Sequence, residues 1–136
     1  MTVQRETTTD GVRWRSDRCT HTLTRLRPGR VQLVIDGYDQ GEFGNAIFDE
    51  LRSEADNFGK LELFVDLRTA FGAATPVREA WTEWFRAQAP ILRRVHILSG
   101  SKFIDMATMT AKVLSHTGEL IVIHQDAATF DAALAR

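Results

Sequence analysis

The chain has 136 residues, 43% of them hydrophobic and 26% charged, a length and balance that suit one globular domain with a sizeable core. Its net charge of −1 argues against binding nucleic acid by bulk electrostatics. A lone cysteine, Cys19, excludes an intramolecular disulfide, and no apolar run is long enough for a membrane span.

The amino-terminal residues are polar and rich in Thr and Arg, with no apolar signal core, so the chain reads as cytoplasmic. Residues 1–18 read as a flexible basic arm that Trp14 anchors, and residues 19–136 as the folded domain. Residues 1–30 carry seven arginines against Glu6, Asp10 and Asp17, so this part is about +4 and the remainder about −5.

From Cys19 the chain alternates in the manner of a strand, and Pro28-Gly29 occupy the central positions of a type II turn. Val31, Leu33 and Ile35 continue the alternation, which predicts an antiparallel hairpin over about 20–36. Asp39-Gln40-Gly41-Glu42 then reads as the opening of a helix. Phe43, Ile47, Leu51 and Ala55 recur every fourth residue along it, and Gly59 closes it.

Leu61–Leu67 is apolar on both faces apart from Glu62 and Asp66, as expected of a strand in the middle of a sheet with helices on each side. A loop over 69–75 follows, with Thr75 as N-cap and Pro76 in the first turn of a second helix. Trp81, Trp84, Phe85 and Gln88 share one face of that helix. Short apolar strands over 94–98 and 120–123, a helix over 102–116 and a last helix capped by Asp126 complete the pattern. The expected fold class is α/β. It is a single small domain with a mixed, mostly parallel sheet of about five strands, an amino-terminal antiparallel hairpin and four helices.

Motifs that would name a chemistry are missing. No glycine-rich nucleotide loop, nucleophile elbow or paired-histidine metal motif occurs, so no metal, cofactor or catalytic residue is assigned. Cys19 and His21 share a strand face, and His96 and His124 lie on adjacent strands. All four read as satisfied residues of the sheet. The remaining candidates lie at strand ends: Asp66, Arg68 and Thr69 after the central strand, Thr75 at the helix start, and Ser99 and Ser101 after the next strand. Asp66 and Arg68 project to one side and are placed to pair with each other. Trp81 and Trp84 complete the candidate partner- or ligand-binding set, and an exposed part of their stripe would suit a homodimer.

Several strings in this order carry a family likeness: Val31-Gln32-Leu33-Val34-Ile35-Asp36-Gly37, Leu63-Phe64-Val65-Asp66-Leu67-Arg68, Val95-His96-Ile97-Leu98-Ser99-Gly100-Ser101 and Phe130-Asp131-Ala132-Ala133-Leu134. Over about residues 20–135 the chain resembles the bacterial SpoIIAA-like division of the STAS superfamily, which is similar in topology to CRAL-TRIO lipid-binding domains. Classical members place a phosphorylatable Asp-Ser turn after the central strand. Here that place reads Phe71-Gly72-Ala73-Ala74-Thr75-Pro76, so the resemblance brings no phosphoswitch. It implies a non-enzymatic regulatory module with a protein partner on the 69–75 rim. The alternative is a small apolar or lipid-like ligand held between the aromatic helix and the sheet.

Overall fold

The computed structural model describes residues 2–100, 109, 112 and 116–136. Strands β1 (Gln4–Thr8), β2 (Gly11–Arg15), β3 (Cys19–Arg27) and β4 (Arg30–Asp39) form an antiparallel ribbon. Helix α1 (Ala46–Phe58) leads to β5 (Leu61–Leu67), which pairs in parallel with β4. A short strand β6 (Ala70–Ala73) joins the far end of β4 in parallel. Helix α2 (Thr75–Gln88), β7 (Leu92–Ser99), β8 (Ile121–His124) and α3 (Ala127–Ala135) follow. The sheet order is β1-β2-β3-β4-β5-β7-β8, so the antiparallel and parallel halves meet at β4.

Alternation along the strands separates two apolar layers. Leu33, Leu61, Leu63, Val65, Val95 and Ile97 face one way and pack with Ile47 and Leu51 of α1 and Trp84 and Phe85 of α2. Phe64 and Leu98 face the other way, against Phe130 and Ala133 of α3. Phe64 is fully buried, which stabilises the fold by about 1.5–3 kcal/mol. Between β4 and β7, β5 is an interior strand, as its two apolar faces predict, while β4 is the middle of the path.

The structure has eight strands and three helices among the described residues, where the sequence pattern suggests five and four. Two of the additional strands lie in residues 4–15, read from sequence as an arm. Val12 and Trp14 point inward there and are buried, while Arg13 and Arg15 bond Glu6 across the ribbon. That single inward pair is too short a pattern to stand out from a polar terminus. Most of the basic cluster is also neutralised by acids: Arg5 with Glu50, Arg13 and Arg15 with Glu6, Arg25 with Glu54, and Arg30 with Glu62.

The third additional strand, β6, takes the place of the expected 69–75 loop, its small residues Ala70, Gly72 and Ala73 pairing with Gly37, Tyr38 and Asp39 while Phe71 is exposed. Helix α1 also begins later than expected. Asp39 is still strand, and Gly41 and Gly44, both at positive φ, make a turn before Ala46. The expected helix over 102–116 lies outside the described residues, save Met109, Lys112 and His116. Among the described residues no helix is long and apolar enough to cross a membrane.

Candidate functional site

A cavity of about 320 Å³ opens between the end of β4, the turn into α1 and the first turns of α2. Its walls are apolar: Phe43, Ile47 and Phe48 on one side, Val77, Ala80 and Trp81 on the other. His21, Asp39, Gln40 and Asn45 form the polar part of the lining, and of these His21 and Asp39 are buried. His21 belongs to the inward face of β3 with Cys19 and Leu23, and it pairs across the ribbon with Trp14. Asp39 arrives by a bend. Gly37 has φ of 86°, and a Cβ there would lie 2.0 Å from the Arg18 carbonyl oxygen, so only glycine lets β4 turn at this point.

Both His21 and Asp39 are buried, and His21 Nε2 lies 2.9 Å from Asp39 Oδ2. The other carboxylate oxygen accepts the Gly41 N–H at 2.8 Å. Burial opposes ionisation of Asp39, but the hydrogen bond and charge of His21 and the Gly41 N–H outweigh it and hold its pKa below the ordinary value. As an anion Asp39 only accepts, so His21 Nε2 carries the proton. His21 Nδ1 is buried and has no hydrogen-bond partner among the described residues. The Cys19 thiol is pushed up to about 12 by burial and by the negative charges of Asp39 and Glu42. It is therefore no thiolate nucleophile, despite the base beside it.

The strand-end residues singled out from sequence do not gather into one site. Asp66 and Arg68 pair with each other, the shortest contact being 2.8 Å, and Arg68 also reaches Asp131 at 3.5 Å. They sit on the α3 face of the sheet, away from the cavity. The Thr69 hydroxyl donates to Asp36. Thr75 is the first residue of α2 rather than its cap, which is Ala74, and its hydroxyl accepts from Arg78 at 2.8 Å. Pro76 has no N–H to cap, so a hydroxyl is less needed at that terminus. Ser99 ends β7, half-buried, and Ser101 lies outside the described residues.

Of the two tryptophans, Trp81 lines the cavity while Trp84 is buried in the core. Phe48 packs edge-on to Trp81 at 4.7 Å and stacks on Trp84 at 5.5 Å, joining α1 to α2. The sequence reading thus reaches Trp81 but misses Asp39. That residue sits two positions beyond the segment paired with β3, and only the bend at Gly37 brings it back to His21.

On the opposite face a second polar row crosses the parallel strands. Arg30 Nε donates to Glu62 at 2.8 Å, Glu62 meets His96 Nε2 at 3.2 Å, and His96 Nδ1 meets His124 Nε2 at 3.0 Å. His124 Nδ1 ends the row on the Thr129 hydroxyl at 3.1 Å. Arg30 also donates to the Ala133 and Leu134 carbonyls at the end of α3. Every ring nitrogen here has a partner, and His96 stacks on Phe64 at 4.3 Å. This is a structural tie between sheet and helix.

No family model and no curated protein matches the sequence. Among solved structures, the chain is similar to an uncharacterised protein of the DUF3478 family from Shewanella loihica PV-4, which has a SpoIIAA-like fold. The TM-score is 0.59 at 12% identity, over 98% of this chain and 92% of that one. The fold is SpoIIAA-like. At this identity the likeness concerns architecture alone.

Proposed function

We propose that the chain is a non-enzymatic regulatory module that binds a small amphiphilic molecule with an apolar body and a hydrogen-bond-donating head. The observation that carries this reading is the cavity of about 320 Å³, apolar along α1 and α2 and polar at the buried His21 and Asp39, with Gln40 and Asn45 also in its lining. Its size and its few convergent polar groups are those of small-molecule sites. An ionised Asp39 can only accept, which favours a hydroxyl or ammonium head over a carboxylate. The protonated Cys19 thiol supports a binding role rather than a catalytic one.

A protein partner fits the same reading. The Ala74 N–H bonds the Asp39 carbonyl at 2.8 Å, so the rim of β6 and α2 is tied directly to the cavity. Phe71 on that rim is 79% exposed. A ligand that shifts α2 thus has a short route to a docking surface.

The test is a titration with 1-octanol, octylamine and octanoate, followed through the emission of Trp81 on the cavity wall. The alcohol and the amine are expected to bind, and octanoate at least about tenfold more weakly, the cost of facing a buried anion. Val77→Trp, which fills the cavity, abolishes the response. If none of the three compounds perturbs the wild-type chain, the ligand reading fails.

A further inference from the structure

Cys19, His21 and Asp39 converge beside the cavity. Cys19 and His21 are two apart on β3 and share its inward face, and Asp39 joins them from the bend in β4. One donor atom from each, a sulfur, a ring nitrogen and a carboxylate oxygen, lies within 4.8 Å of the other two, and all three residues are buried. We propose that these three side chains bind a divalent transition metal of zinc-like character, with a coordination position left toward the cavity.

The donor set is the first support. Thiolate, imidazole and carboxylate are the ligands zinc takes, and three protein ligands with one open position mark sites that engage an exogenous group rather than purely structural ones. Distance is the second. Atoms bound to one tetrahedral zinc ion stand roughly 3.5 Å apart, so a cluster already within 4.8 Å closes on an ion by small side-chain movements.

The third support is what the groups do otherwise. In the Glu62–His96–His124 row every ring nitrogen is spent on a hydrogen bond. His21 differs. Its Nε2 bonds Asp39, which is itself in the donor set, and its buried Nδ1 has no partner among the described residues. Asp39 is in turn oriented by the Gly41 N–H on its other oxygen, the kind of outer support that ligating carboxylates receive.

Charge also balances. When the ion seats, the Cys19 thiol proton passes to solvent, and thiolate and carboxylate together neutralise the dication, so the buried assembly carries no net charge.

The proposal shares Asp39 with the amphiphile reading, which concerns the metal-free chain, and its test uses metal alone so that either can fail without the other. The full chain, stripped of metal, is titrated with Co²⁺. The expected result is a near-ultraviolet sulfur-to-cobalt charge-transfer band that saturates at one equivalent and is displaced by Zn²⁺. Cys19→Ser abolishes the band while its circular-dichroism melt stays cooperative. Asp39→Asn weakens cobalt binding by about ten- to a hundredfold, and His124→Gln, in the other row, leaves it unchanged. A wild-type chain that gives no band and retains no zinc on dialysis overturns the proposal. So does a band that survives Cys19→Ser, disappears in His124→Gln, or keeps full affinity in Asp39→Asn.

Discussion

His96 is buried and His124 half-buried, and desolvation lowers the pKa of each below the ordinary value of 6.5. For His96 this wins over the Glu62 carboxylate, which pulls the other way. Once unfolded, both rings take up protons near pH 6.5, whereas in the folded chain they do so only at lower pH. Their contribution to stability is therefore complete above the unfolded value and declines as pH falls through and below 6.5, levelling off once the folded rings have also charged. A second decline follows at lower pH. Asp39, Glu54 and Glu62 have folded pKa values below the ordinary 3.8 and 4.5, because His21, Arg25 and Arg30 respectively overcome the opposing effect of burial. Thermal midpoints measured across pH should thus fall in two steps, and His96→Gln/His124→Gln should flatten the upper step while leaving the lower, less the part of the Glu62 shift that His96 supplies. A profile with one step at carboxylate pH, unchanged in the double variant, would contradict the assignment. The adjacency of the two histidines was legible because neighbouring parallel strands share a face, here with His124 two positions beyond the residue paired with His96. The approach of Asp39 to His21 was not, because nothing local to either residue encodes it.

At the scale of elements the decisive feature is the carboxyl end of β4. Up to Gly37 this strand pairs with β3; beyond it, the strand bends and pairs with β6. A side chain at residue 37 would meet the Arg18 carbonyl and also impose strain at positive φ. Gly37→Ala is expected to cost about 3 kcal/mol or more, above the usual penalty for a positive φ alone because backbone must also move. Its signature is a loss of Trp81 response to ligand that exceeds what the fall in melting temperature explains, since Asp39 is displaced with the strand. A variant with wild-type stability and ligand response would show that the bend is not needed. The sequence displays Gly37 plainly, yet a glycine after an alternating run reads as the end of a strand. Only the small residues Ala70, Gly72 and Ala73, which pair with Gly37, Tyr38 and Asp39, explain why the strand continues. The helices were easier to read, since Ile47, Leu51 and Ala55 or Trp81, Trp84 and Phe85 declare a face by spacing alone.

Taken whole, the molecule is a parallel α/β half, with helices against both of its faces, joined through β4 to an antiparallel ribbon whose inward face completes the core. The parallel half carried the strongest sequence signals, and the ribbon's first two strands the weakest. Yet Trp14 is only 4% exposed and stands opposite His21, so the amino-terminal hairpin is part of the core and backs the strand that carries His21. Trp14→Ala should cost about 3–5 kcal/mol, a large fraction of the roughly 5–15 kcal/mol that holds a domain of this size together. Removing residues 1–15 goes further, because it also takes Val12 from the core and leaves β3 as an unprotected edge. The shortened chain is expected to melt well below the full one or to aggregate, and to lose protection from hydrogen exchange across Cys19–Leu23 before it does so across β5 and β7. A shortened chain that melts at the full-length temperature with β3 still protected would mean that residues 4–15 rest on the domain as an arm. The inward placement of Val12 and Trp14 argues for the opposite outcome, in which the ribbon and the parallel half fold as one cooperative unit.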